Sequence, residues 1–124
     1  MPNNWASIFA GSVWEYDEKS EEFYFHMFSK EQPDLNWENK EMVKDYLEII
    51  KFWNDKGISG YKIDALSHIS KDQKFPNYKS DEKLVFGDMH CNGPKMDEYI
   101  GYLSHAIKDN NDNVILAEMA NVTP

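Results

Sequence analysis

Apolar and polar residues follow three different rhythms along the chain. From Met42 to Trp53 the large apolar residues Met42, Val43, Tyr46, Leu47, Ile50 and Trp53 recur at helical spacing. Asn39 stands where an N-cap belongs, with acidic Glu41 in the first turn and Lys56-Gly57 at the stop. Gly60-Tyr61-Lys62-Ile63-Asp64-Ala65 then alternates. As a strand it puts Tyr61, Ile63 and Ala65 on one face and Lys62 and Asp64 on the other. Leu66 to Ile69 opens a helical turn, and residues 72–93 are polar and punctuated. Pro94 takes the first helical position of a second amphipathic helix. Its apolar positions are Met96, Tyr99, Ile100, Leu103 and Ile107, and it ends near Asn110-Asn111. Val114 to Met119 reads as a second buried strand, with Val114, Leu116 and Glu118 opposed to Ile115, Ala117 and Met119. Residues 1–37 are turn-rich, with one strand from Glu22 to Ser29. The order loop, α, β, α, β predicts an α/β fold with parallel strands.

Composition narrows the partners. Thirteen basic against 22 acidic residues give a net charge of -9, which leaves no basic surface for nucleic acid. No apolar run approaches the about 18 residues of a membrane span, and the first residues have no signal-peptide character. The single cysteine, Cys91, excludes an internal disulfide, and a cytoplasmic setting is expected. Aromatics make up 15% of the chain and cluster before Asn54, as either a core or a sugar-stacking surface.

The chemistry centres on two acids. Asp64 and Glu118 both fall at the C-terminal ends of predicted parallel strands, the edge where such sheets place their chemistry. Two carboxyls about 5 to 5.5 Å apart suit a retaining glycosidase, one as nucleophile and one as acid/base. That role asks for an ionised Asp64 beside the Lys62 cation and a protonated Glu118 in a drier setting. An exposed Lys62–Asp64 salt bridge, and strand-end acids acting as helix caps, are the alternatives that spacing leaves open. Asp88-x-His90-Cys91 lacks the remaining ligands of a metal site and reads as a solvated loop, so no metal is expected. His68 reads as a helix-surface residue, and His26 and His105 as structural or exposed.

Several segments together resemble glycoside hydrolase family 13, in its α-glucosidase and oligo-1,6-glucosidase branch. Gln32-Pro33-Asp34-Leu35-Asn36-Trp37 matches a marker of that branch. Gly57 to Ala65 resembles the fourth-strand motif Gly-Phe-Arg-x-Asp, and Leu116 to Met119 the fifth-strand motif. Pro2-Asn3-Asn4-Trp5, Gly11-Ser12-x-Trp14 and Phe25-His26-x-Phe28-Ser29-Lys30 fall in register with them. The resemblance implies a fragment of a (β/α)8 barrel. Residues 1–37 would be the C-terminal part of a loop domain inserted after strand 3. Residues 38–124 would supply helix 3, strand 4, helix 4 and strand 5. It implies Asp64 as nucleophile, Glu118 as acid/base and Lys62 as the cation that holds Asp64 ionised. Phe9 and Phe28 become pocket aromatics, Gln32 approaches the aglycone sugar, and Ala65 leans toward α-1,4 linkages. The ligand is an α-linked gluco-oligosaccharide, and no cofactor is implied.

Departures from the family pattern carry their own expectations. Lys62 stands where the family has arginine, a change from a planar fork to a point charge. Ala117 replaces a usual glycine. The motifs Asp-x-x-x-Asn-His and the downstream His-Asp do not occur, and a full barrel needs about 250 residues. The isolated chain is therefore expected to be inactive and to self-associate through unpaired edges. A non-catalytic interaction domain of the same fold is the rival reading.

Overall fold

In the computed structural model, the described residues are 1–79, 90–108 and 112–120. Two aromatic-rich strands form an antiparallel ribbon, β1 (Trp14–Asp17) with β2 (Glu22–Phe25). A long helix, α1 (Lys40–Asp55), leads into β3 (Gly60–Ile63). A 3-10 turn at Leu66–His68, helix α2 (Met96–Lys108) and strand β4 (Val114–Ala117) follow. β3 and β4 pair in parallel, with Gly60 opposite Val114 and Ile63 opposite Ala117. The expected α/β order with a parallel sheet is what the chain adopts.

Local chemistry accounts for the best-defined ends. The Asn39 side chain accepts from the Glu41 and Met42 amides at 2.9 and 3.3 Å, filling donors that the first helical turn leaves open. Gly57, at φ +82°, takes the left-handed position that stops α1 after Lys56. α2 starts two residues after Pro94 rather than at it. The Lys95 amide is met by Ser70 Oγ at 3.0 Å, so a hydroxyl from a distant segment helps set that end. The expected stop at Asn110-Asn111 lies outside the described residues.

The ribbon corrects the reading of the first segment. Trp14 to Asp17 is strand, not turn, because its partner supplies what local sequence does not. Trp14 packs edge-on to Phe25 with centroids 5.2 Å apart, and Tyr16 lies 5.1 Å from Phe23. β2 ends at Phe25, four residues short of the expected Ser29. There the His26 amide turns to Val13 O and the Asp34 amide bonds Phe25 O.

Among the described residues, two apolar clusters form the core. One joins Trp5, Val13, Phe25 and Met27 beneath the ribbon. The other joins Trp37, Val43, Ile50, Leu66, Tyr99, Leu103 and Ile107 between the helices and the parallel pair. Tyr61, Ile63, Ile115 and Met119 pack on this second cluster, as alternation requires. Three expected core positions are not in it. Trp53 is half exposed, and β4 shows Val114 and Leu116 at 68% and 61% exposure rather than buried. The cause is the sheet itself: with two parallel strands, one face meets the helices and the other meets solvent.

Below the sheet, the single Tyr61 O–H is shared between two acceptors, Ile50 O at 2.9 Å and Asn54 Oδ1 at 2.8 Å. Asn54 and Asn113 amides bond the Ala106 and Ile107 carbonyls that α2 leaves open. One buried ion pair ties the Gln32–Trp37 segment to the stretch after β3: Lys71 Nζ donates to Asp34 Oδ1 at 2.9 Å. Their side chains are 7% and 18% exposed, and Nζ lies 5.0 Å from the Phe25 ring centre.

Breaking such a pair strands a charge, whereas replacing both partners does not. Lys71→Met should cost about 3–5 kcal/mol in urea unfolding, and Asp34→Leu/Lys71→Met should recover most of it. Burial pushes the Asp34 carboxyl above its ordinary 3.8, and the Lys71 ammonium pulls it back. The folded chain thus keeps that proton to higher pH than the unfolded chain. Its stabilising share is greatest below the ordinary value and falls as pH climbs through the folded one. The double variant should lose this fall.

Candidate functional site

Asp64 directly follows β3, and Glu118 directly follows β4. Backbone bonds carry the parallel pairing past both strand ends. The Glu118 amide donates to Ile63 O at 2.9 Å, and the Leu66 amide donates to Glu118 O at 2.9 Å. Between them Ala65 takes a left-handed conformation, φ 51° and ψ 34°. That turn departs from the expected alternation, in which Ala65 continued the Tyr61 and Ile63 face. It is what swings the Leu66 amide back to Glu118 O. Few non-glycine residues adopt it without strain, and such strain gathers at working sites.

The side chains then meet as the alternation predicts. Lys62 Nζ donates to Asp64 Oδ1 and, at 2.9 Å, to Glu118 Oε2. One ammonium therefore faces both carboxylates across the β3–β4 pair. The Asp64 hydrogen bond, followed by the Glu118 one, pushes the Lys62 amine up from its ordinary value. The dry setting expected for Glu118 is not present: its side chain is 66% exposed, and that of Asp64 is 74% exposed. The reason is again the open outer face of a two-stranded sheet.

Beside Asp64 lies a cleft of about 190 Å³. Phe28, Ala65, His68, Trp37 and Asp34 are among its walls. Phe28 and Ala65 are thus brought to Asp64. Phe9 is mostly exposed and joins only through Phe28, its ring centre 6.2 Å away. Gln32 is exposed on its loop, its amide bonded to Ser29 O at 2.9 Å, and it does not line the cleft. A larger groove of about 470 Å³ runs between α1 and α2 over Trp37, Val43, Leu47 and Tyr99, and holds neither carboxylate.

The histidines need correcting. His68 is buried rather than on a helix surface; its Nδ1 lies 3.3 Å from His90 O, and its ring meets Phe28 edge-on at 5.8 Å. Burial pushes its pKa down. His90 and Cys91 are fully buried rather than in a solvated loop, and Asp88 lies outside the described residues. The His90 ring packs on Trp5 at 5.6 Å, so its burial follows from the aromatic cluster. His26 is buried with Nδ1 3.0 Å from Phe28 O, and His105 is exposed. Sequence reasoning missed the Asp34–Lys71 pair beside the cleft, since nothing local joins residues so far apart.

The family description "Alpha amylase, catalytic domain" matches residues 1–124. The chain belongs to the alpha-amylase catalytic-domain family. An oligo-1,6-glucosidase of Bacillus cereus is 41% identical over 124 residues, covering 98% of this chain and 22% of that protein. A trehalose-6-phosphate hydrolase of Bacillus subtilis (strain 168) is 38% identical over 123 residues, 99% of this chain and 21% of the other. Among solved structures, Bacillus licheniformis trehalose-6-phosphate hydrolase superposes with a TM-score of 0.86 at 37% identity, over 98% of this chain and 21% of that one. A trehalulose synthase MutB mutant gives 0.89 at 32% identity, over 98% and 22%. The chain spans about a fifth of the length of these relatives. Its two parallel strands and two helices are a segment of that family's barrel.

Gly60 is the point where this site can be tested through the backbone. A Cβ there would lie 2.5 Å from Val114 O, inside the opposing strand. Gly60→Ala should destabilise the chain by about 1–3 kcal/mol, as overpacking does. The loss should be largest in hydrogen-exchange protection of β3 and β4.

Proposed function

We propose that this chain is the part of a retaining α-glucosidase that carries its nucleophile and its acid/base. One observation carries the reading: Asp64 and Glu118 end two hydrogen-bonded parallel strands and share a single ammonium. In this reading Asp64 attacks the anomeric carbon and forms a glycosyl-enzyme bond while Glu118 protonates the departing oxygen. Glu118 then takes a proton from a water whose oxygen bonds the anomeric carbon, and the bond to Asp64 breaks to free the sugar and restore the carboxylate. Lys62 pairs with the Asp64 carboxylate. The substrate is a short α-linked gluco-oligosaccharide cleaved at its terminal bond, and no cofactor enters.

Phe28 and Phe9 supply faces for a pyranose ring, Ala65 shapes the wall beside the nucleophile, and Gln32 reaches the aglycone side. The relatives named as oligo-1,6-glucosidases support the class of bond. Those relatives speak for an α-glucosidic bond, and the small Ala65 leans toward α-1,4 rather than α-1,6 linkages. In the parent enzyme residues 1–37 would belong to the inserted loop domain, and residues 38–124 to the barrel from helix 3 to strand 5. The exposed Val114, Leu116, Ile49 and Phe52 support self-association of the chain on its own.

A second reading, a non-catalytic interaction domain, draws on Lys62. An ammonium cannot reproduce the two-pronged guanidinium contact, so the carboxylate's angle is less firmly fixed. Assays separate the two. The 124-residue chain should release no p-nitrophenol from an α-glucoside. The full-length parent should hydrolyse maltose or isomaltose with retention, and Asp64→Asn should abolish this. Lys62→Arg in that parent should raise turnover roughly tenfold, about 1.4 kcal/mol of barrier. A parent that is inert on both sugars, and stays inert with arginine, would favour the interaction domain.

A further inference from the structure

The larger groove is built from the first turns of both helices. Lys40, Lys44 and Glu48 of α1 form one wall, and Lys95, Glu98 and Tyr102 at the start of α2 form the other. α1 leads into β3 and α2 into β4, so each helix runs antiparallel to the strand that follows it. Both helix starts therefore lie at the sheet edge that carries Asp64 and Glu118. Trp37 joins the two places, since it lines this groove and also the cleft beside Asp64. At about 470 Å³ the groove is within the range of ligand pockets, about 300–1,000 Å³.

Its chemistry is balanced. Glu38, Glu48 and Glu98 face Lys40, Lys44 and Lys95, three acids to three ammoniums, in a chain whose net charge is -9. A groove of equal charges favours a neutral occupant over an ion. The α2 wall is tied: Glu38 Oε1 accepts from Tyr99 Oη at 2.8 Å, Glu38 Oε2 accepts from Lys95, and Tyr102 Oη donates to Glu98. The Lys95 hydrogen bond holds the Glu38 carboxyl below its ordinary range, so it stays an acceptor. Across the groove, Lys40, Lys44 and Glu48 make no side-chain hydrogen bond to the described residues. They offer both donors and an acceptor. Trp37, Val43 and Tyr99 are the buried members, and the Tyr102 ring is 40% exposed. A pyranose asks for this combination, an apolar C–H face against an aromatic ring and edge hydroxyls that both give and take hydrogen bonds.

We propose that this groove is a second saccharide site, outside the catalytic cleft, where a short α-linked glucan stacks on Tyr102 and bonds Lys44 and Glu48. That the sugar is α-gluco rests on the glycosidase reading; that it is a neutral saccharide rests on the groove itself. A glucan held there sits at the same edge as Asp64 without occupying the cleft.

Titration of maltotriose into the isotope-labelled 124-residue chain, followed by NMR, tests the site. The amides of Lys44, Leu47, Glu98 and Tyr102 and the Trp37 indole should move together along one binding curve. Tyr102→Ala should weaken that curve about fivefold, the scale of an aromatic contact. Glu48→Ala, which removes an acceptor, should weaken it about threefold. Both positions are exposed, spectral dispersion reports on the folding of each variant, and the wild-type curve stands without either. Shifts confined to Asp64, Ala65 and Phe28 would place the sugar in the cleft and overturn the second site. Groove signals that move with benzamidine, an aromatic cation, but not with maltotriose would overturn it as well. A parent enzyme without glucosidase activity, beside an intact groove curve, would overturn the functional reading and leave the saccharide site standing.

Discussion

The site depends on backbone pairing that continues beyond the strands that define it. β3 and β4 are four residues each, and neither contains Asp64 or Glu118. Asp64 and Glu118 stand just past them, where side chains are usually free to wander. Two bonds, Glu118 N–H to Ile63 O and Leu66 N–H to Glu118 O, extend the ladder by one step. The second exists only because Ala65 turns left-handed. Gly60 sets the opposite end, where the strands approach too closely for a side chain. Relative position of the two carboxylates is thus fixed by main chain, and Lys62 adds an electrostatic tie on top.

The rest of the molecule can be understood as support for that pairing. Tyr61 and Ile63 anchor the inner face of β3 in the helical core, which leaves Lys62 to point outward. Asn54 and Asn113 close the lower end by binding carbonyls in the last turn of α2, and Tyr61 ties β3 to the Ile50 carbonyl and the Asn54 side chain of α1. Lys71 and Asp34 join the segment after β3 to the Gln32–Trp37 stretch, and Trp37 packs on Tyr46 and Tyr99. The aromatic ribbon delivers Phe28 to the cleft through the irregular turn that follows β2. Each support crosses from one sequence segment to another distant one.

That explains what was legible in the sequence and what was not. The Asn39 cap, the Gly57 stop and the alternation around Lys62 and Asp64 are local, and all were readable. So was the parallel pair, since strands separated by a helix are built that way. The β1 strand was hidden because four residues are too few for alternation to stand out from the turn-rich stretch around them, until Phe23 and Phe25 face them. His68 and His90 gave no sign of burial, since Phe28 and Trp5 from the first thirty residues pack against them, and neither did the buried Cys91. Exposure of Val114, Leu116 and Glu118 was not readable either. An apolar strand predicts burial on both faces, and here only one is covered.

Amide hydrogen exchange at Leu66 and Glu118 tests the central claim most directly. If the strand ends are locked as described, both amides exchange as slowly as those within β3 and β4, through the same cooperative opening. Exchange at the rate of exposed turn amides such as Lys19, while the strand amides stay protected, would contradict it. The two carboxylates would then be placed by their side chains alone.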